Sequence, residues 1–303
     1  MGFLVGPMSL ILCMVLGFLM KRARIFGPDA YQVVMKIFTT LSLPIVILYQ
    51  YQNFERDHSL LTIILIGFLG SFISLFVGYF AAFKKNPQDR AFYMFHTSGY
   101  NIGGFTLPVV LALLGPESAM AVIFFDLGNA LMLTGGSYAI TTYLLPLEGS
   151  EAPTLADTLK KFLYSAPFMM YLFVLALYGL AIELPAFIYE LIQPIAQANA
   201  FIATFMLGLM FQLPQTKAGK NNVAGVLLLR FICAVIFSLL TFYVLPLSPE
   251  IKKTVIILLF SPIGAMASNY TLKLKGDPAL SSFSISLSIL VSLVIMIVLY
   301  AYL

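Results

Sequence analysis

Apolar stretches of about 18 residues or more follow one another from one end of this chain to the other. Each has the length of a membrane-spanning helix, so the chain reads as an all-α polytopic membrane protein. With 60% hydrophobic and only 10% charged residues in 303, a soluble fold would leave much apolar surface in water. The longest polar gap, roughly 146–161, is too short to form a soluble domain. The first apolar run ends at Lys21 and Arg22 without a small-residue cleavage motif, so it reads as a retained first span.

Taking breaks against runs gives ten spans, near 2–20, 29–53, 59–83, 91–114, 117–145, 164–182, 184–213, 223–246, 250–273 and 278–303. Lysine and arginine divide unevenly between alternate loops. One set holds Lys21, Arg22, Arg24, Lys84, Lys85, Arg90, Lys160, Lys161, Lys217, Lys220, Lys273 and Lys275, and the other only Arg56, Lys252 and Lys253. By the positive-inside rule the first set is cytoplasmic and both termini face outward. Lys36 and Arg230 fall inside spans near cytoplasmic ends, where snorkelling toward the headgroups would satisfy them. The net charge of +4 is spread singly and in pairs at span ends, which reports topology and gives no reason to expect nucleic acid. Cys13 and Cys233 lie in apolar runs far apart and read as small core residues, with no disulfide, metal or other cofactor implied.

Ten spans also divide into two fives. Superposing Gly115 on Gly276 places Gly103 on Gly264, and Asn101 on Pro262, at the same offset. Five is odd, so the second half inserts upside down, giving a five-plus-five inverted repeat. The first repeat covers 1–145, a cytoplasmic linker 146–163, and the second repeat 164–303. Spans four and nine carry matched interruptions. GYNIGGFTLP, from Gly99 to Pro108, puts glycines, an asparagine and a proline inside an apolar run, and SPIGAMASNY, from Ser261 to Tyr270, does the same in the other half. Pro108 and Pro262 lack the backbone donor, and Gly99, Gly103, Gly104 and Gly264 ease irregular dihedrals. Such backbone survives in a bilayer only where protein or an aqueous cavity satisfies it, so paired breaks point to a transporter's binding site.

At these residues the chain resembles the auxin efflux carrier family. The stretches NIGGFTLPVVLALLGPESA, FDLGNALMLTGGSYAI and SPIGAMASNYTLKLKGDPALSSFSISLSIL carry the resemblance. It implies broken crossover helices four and nine, a scaffold domain of helices 1, 2, 6 and 7, and a transport domain of helices 3–5 and 8–10. It further implies a substrate such as malate, malonate or an auxin-like acid. By similarity Asn101 falls on the crossover asparagine and Pro262 on the crossover proline. The plant members carry a proline before that asparagine, where this chain has Tyr100.

The expected substrate site therefore comprises Asn101, Gly103, Gly104, Pro108, Pro262, Gly264 and Asn269. Asp126 sits near mid-bilayer in span five, where a carboxylate needs a partner, a cation or a proton. Asp126, Asn129, Ala130, Leu133 and Ser137 share one helical face, and Ser281, Ser284, Ser288 and Ser292 form a similar stripe in span ten. Asp126, with Asn129 and Ser288, is either a site for H+ or Na+ coupling or a structural anchor for the broken backbone. Arg230 is either an anion partner or a snorkelling residue, and His96 either a proton relay or a hydrogen-bonded core histidine. Gln193, Pro194, Gln197 and Asn199 make span seven polar enough to line the pathway, and Tyr49, Tyr51, Tyr143, Tyr300 and Tyr302 fall at span ends as an interfacial belt.

The leading function is a secondary transporter moving a small organic anion by alternating access, in the cell membrane, with a homodimer through the scaffold as the expected assembly. An anion-selective channel or a substrate-sensing membrane protein are the alternatives. An enzyme is disfavoured, because HExxH, paired intramembrane aspartates and a serine–histidine arrangement are all missing.

Overall fold

The computed structural model describes residues 5–27, 30–53, 59–145, 147, 153–211 and 219–303. Arg56, Lys217 and most of the 146–152 stretch lie outside the described residues. Within them the regular elements are all helical. In chain order they are α1 (Val5–Arg22), α2 (Ala30–Gln50), α3 (Ser59–Ala81), α4 (Pro87–Thr97), α5 (Ile102–Leu114) and α6 (Pro116–Leu144). There follow α7 (Leu155–Leu163), α8 (Ala166–Leu180), α9 (Ala186–Met210), α10 (Lys220–Tyr243), α11 (Pro249–Leu259), α12 (Met266–Lys273) and α13 (Pro278–Tyr302).

Seven of these, α1, α2, α3, α6, α9, α10 and α13, are long and apolar enough to cross a membrane, and α7 with α8 makes an eighth candidate bent by 75°. That is fewer than ten. Expected spans four and nine are each two short helices, α4 with α5 and α11 with α12, so a ten-span count treats each broken pair as one crossing. Span six shortens to the 15-residue α8, which stops where Ala181 turns left-handed at φ 59°. The starts of the broken segments are written in short polar side chains. Asn86 caps α4 by accepting from Asp89 N–H at 2.8 Å, and Ser248 caps α11 by accepting from Ile251 N–H at 3.4 Å.

The described part of the 146–163 stretch is not structureless. Thr154 and Asp157 form a capping box that starts α7. Its Leu155, Leu159 and Leu163 form one exposed apolar face, with Thr158 buried, the pattern of a helix lying at the membrane surface.

Lipid tails are as apolar as leucine, so helices in a bilayer associate by close packing rather than by escaping water. Two pairs show it. Between α1 and α9, a methyl group on Gly17 would sit 2.3 Å from the Phe205 carbonyl oxygen, and one on Gly208 would sit 2.0 Å from that of Met14. Between α3 and α6, a methyl on Gly67 would meet Phe125 O at 2.1 Å, and one on Gly128 would meet Ile64 O at 1.9 Å. The α6 helix is central: 78% of its span is buried, against 22% for α1 and for α10.

Several expectations need correction. Tyr51 is not interfacial but buried, donating its hydroxyl to Ile182 O at 2.9 Å, whereas Tyr143 and Tyr302 are exposed as expected. Gln193, Pro194 and Gln197 lie on the exposed face of α9, and Asn199 is buried, accepting from Ser42 Oγ at 2.8 Å. None of these four is among the residues lining the two large cavities, since Gln193, Pro194 and Gln197 face outward and Asn199 is spent on Ser42.

Candidate functional site

The two breaks meet. After α4, Ser98 is extended and Gly99 takes a φ of 72°, a left-handed turn that glycine adopts without strain. Tyr100 then pairs antiparallel with Ile263, and Asn101 N–H donates to Pro262 O at 2.9 Å. Asn101 itself is non-helical (φ −84°, ψ 71°), and its carbonyl accepts from both the N–H and the hydroxyl of Thr106, each at 3.1 Å. A wide π turn over Ile102–Thr106 begins α5.

Polar side chains from neighbouring helices take up the freed backbone. On α6, Asn129 Oδ1 accepts from Tyr100 N–H and from Ser71 Oγ, both at 2.9 Å. Its Nδ2 donates to Tyr100 O at 2.9 Å and to Asp126 Oδ1 at 2.8 Å. On α13, Ser288 Oγ accepts from Ile263 N–H at 3.0 Å and donates to Ile285 O at 2.7 Å. The Leu258 carbonyl, which Pro262 cannot bond, takes the N–H of Ser261 at 3.0 Å and its hydroxyl at 2.5 Å.

Against this crossing lies a cavity of about 580 Å³. Asn101, Gly103, Gly104 and Asp126 line it from one half and Asn269 from the other, with Phe38 and Leu43 of α2 and Tyr171 of α8 opposite. Lys161 and Lys273 also line it, their ammonium groups 5.1 and 5.5 Å from the Tyr138 ring centre. The Tyr171 hydroxyl donates to Asp126 Oδ2, tying α8 to α6, and the Gly103 backbone faces the same carboxylate. The aspartate is therefore buried against protein and hydrogen-bonded on both oxygens.

Most of the expected substrate residues gather here, but not all. Pro108, Pro262 and Gly264 stand behind the cavity wall and shape the breaks, as do Asn129 and Ser288. Gly103 and Gly104 do not supply unusual dihedrals; only Gly99, Gly115 and Gly219 have positive φ among the described glycines. They supply room instead. A methyl on Gly103 would meet Leu43 Cδ1 at 2.8 Å, and one on Gly104 would meet Asn101 Oδ1 at 2.6 Å. Gly264 likewise abuts Leu133, whose Cδ1 would be 2.4 Å from an added methyl. Arg230 does not snorkel; its guanidinium donates to carbonyl oxygens at the crossing. His96 is fully buried, with Nδ1 on Phe92 O at 2.8 Å and Nε2 on Ser281 Oγ at 2.7 Å.

Two things escaped the sequence. Tyr171 lies 45 residues from its aspartate with no pattern linking them, and Lys161 and Lys273 were read only as topology markers.

Apolar membrane-crossing helices around a cavity at two broken segments, its largely apolar wall set with a few polar side chains, define a polytopic membrane protein. The family described as membrane transport protein, of the auxin efflux carrier type, matches residues 5–154. No curated protein matches the chain.

Proposed function

We propose that this membrane transporter is a secondary carrier that moves a small organic anion by alternating access. The anion would be a carboxylate such as malate or malonate, or an auxin-like acid. One observation carries the reading: Asn101 Nδ2 is buried, has no hydrogen-bond acceptor among the described residues, and belongs to a side chain in the cavity wall. A buried donor left unpaired costs about 1–3 kcal/mol. An incoming carboxylate would remove that penalty, and the N-terminus of α5 beside it favours negative charge. Lys161 and Lys273 add attraction for anions along the same cavity.

Asp126 shares the wall with Asn101, so a bound anion and an ionised Asp126 would repel. Uptake of H+ or Na+ at Asp126 relieves this, which makes it the coupling site in this reading. Asp126→Asn then removes the pH or sodium dependence of transport; a variant that keeps that dependence and only melts earlier marks Asp126 as an anchor.

The ten-span inverted repeat is part of the proposal, with repeats 1–145 and 164–303 joined by the linker 146–163. Support comes from the like roles of Asn129 and Ser288, one in each half, each bonding a backbone N–H of its own half's break. A scaffold of α1, α2, α8 and α9 would hold a transport domain of α3–α6 and α10–α13, consistent with the glycine-packed pairs α1–α9 and α3–α6. In the cell membrane both termini would lie outside and the cavity would open to the cytoplasm. Cysteine accessibility at the loops tests that orientation, and particle mass in detergent tests a scaffold-mediated homodimer.

The decisive experiment is uptake into proteoliposomes of labelled malate, malonate and indole-3-acetate. Saturable uptake with counterflow of at least one is expected. Flux that never saturates and shows no counterflow would instead indicate a channel, and binding without flux a sensor.

A further inference from the structure

Two helix C-termini converge at the crossing, at the end of α4 and at the end of α11. A helix C-terminus carries roughly half a negative charge and leaves its last carbonyls without intrahelical partners. Brought together away from water, two such ends repel each other and need donors.

Arg230 of α10 supplies both. Its Nη1 donates to His96 O at 3.2 Å, Thr97 O at 2.9 Å and Gly99 O at 2.9 Å. Its Nη2 donates to Ser261 O at 2.8 Å and Pro262 O at 3.2 Å. All five acceptors are main-chain oxygens, three from one half of the chain and two from the other. Only a planar fork with several fixed donors reaches two such sets, and an ammonium group on a flexible stem does not. Pro262 O also accepts from Asn101 N–H at 2.9 Å, so one oxygen joins the guanidinium to the backbone of the cavity asparagine.

The same two segments continue as α5 and α12, whose first turns line the cavity through Ile102, Gly103 and Gly104, and through Ala265 and Met266. Those ends carry the opposite partial charge. Arg230 is absent from the cavity lining. We propose that Arg230 is a positioning residue that gives the cavity its preference for anions from behind the wall. It cancels the carbonyl ends of α4 and α11, so the cavity faces the amide ends of α5 and α12, and it holds Asn101 in register against Pro262. The inference rests on the anion-site reading of the cavity.

Arg230→Ala and Arg230→Lys in the purified full chain test it, with malate as probe and guanidinium chloride at low millimolar concentration as rescue agent. In Arg230→Ala, exchange of the Asn101 amide should quicken at least tenfold while α1 and α9 keep their protection. Malate should bind at least tenfold more weakly, guanidinium should restore both readouts, and Arg230→Lys should fall between. Unchanged exchange at Asn101, or malate loss that merely follows melting temperature and resists guanidinium, overturns the proposal. If the wild-type protein binds neither malate nor any other tested carboxylate, the anion-site reading fails, and the exchange measurement still decides whether Arg230 positions Asn101.

Discussion

The α1–α9 and α3–α6 pairs and the crossing of the broken helices solve opposite problems. The pairs are made of continuous helices, and around the contact glycines Gly17, Gly67, Gly128 and Gly208 the backbone is regular α-helix. They meet through glycines, where main chains come closer than any side chain would allow. At the crossing the backbone has been opened, and its groups are bonded by Asn129, Ser288 and Arg230 from three other helices. The difference teaches where function can reside in a bilayer. Glycine-packed surfaces leave no room for a solute, whereas a break creates polar backbone and the side chains that serve it, and a cavity with a spare donor lies against it.

The comparison can be broken at three places, and a fourth site serves as a control. Gly128→Ala carries the largest effect, because the new methyl falls 1.9 Å from Ile64 O, main chain that cannot swing aside. Overpacking of this kind should cost about 3 kcal/mol, read as a large fall in melting temperature and in monodisperse yield. A variant that melts like wild type would mean that the pairs are not held by close approach. Asn129→Ala should follow at about 2–3 kcal/mol, since it strips the backbone of Tyr100 and the Asp126 carboxylate of a partner. Its damage should concentrate at the crossing, seen as faster amide exchange over residues 98–106 with α1 and α9 unaffected.

Asn101→Ala should not lower the melting temperature, because it removes a buried donor that bonds no described protein group and whose burial is itself a cost. It should weaken carboxylate binding about tenfold, the loss of ~1.4 kcal/mol. Wild-type affinity in the folded variant would remove Asn101 from the site. The smallest effect lies outside both regions. Hydrogen bonds from Thr154 hold the Asp157 carboxyl below its usual value of 3.8. A depressed folded value means that this stabilisation is present above that pH and is lost as pH falls through the lower folded value. The first turn of α7 should therefore fray only below about pH 4, measured as faster exchange at its capped amides. Fraying already at neutral pH would show that the capping box does not hold.

The membrane-spanning helices and the two breaks were legible because hydrophobic length and Gly/Pro/Asn clusters are local signals. Asn101 and Asp126 could be singled out for the same reason: polar groups inside apolar runs must be answered somewhere. Who answers them was not legible. Tyr171 meets Asp126, and Arg230 meets two helix ends, only through tertiary convergence that no spacing encodes. Arg230 near a span end is indistinguishable in sequence from a snorkelling residue. Gly103 and Gly104 looked like sources of dihedral freedom, yet they serve as gaps for Leu43 and for the Asn101 amide, which depends on neighbours distant or folded back in space. The apolar face of α7 was hidden by the polarity of the linker around it.

The bridge between Tyr100 and Ile263 and the bond from Asn101 to Pro262 are written in main-chain atoms. Replacing the side chains at those four positions one by one would leave the atoms of that contact in place. A saturation mutagenesis map would then report at the seam only what the side chains do, the packing of buried Tyr100 and Ile263 and the amide of Asn101, and would register the main-chain bonds only through losses at residues 129, 230 and 288, elsewhere in the chain. Ranking positions by mutational damage would thus point to the clamps and pass over what they clamp.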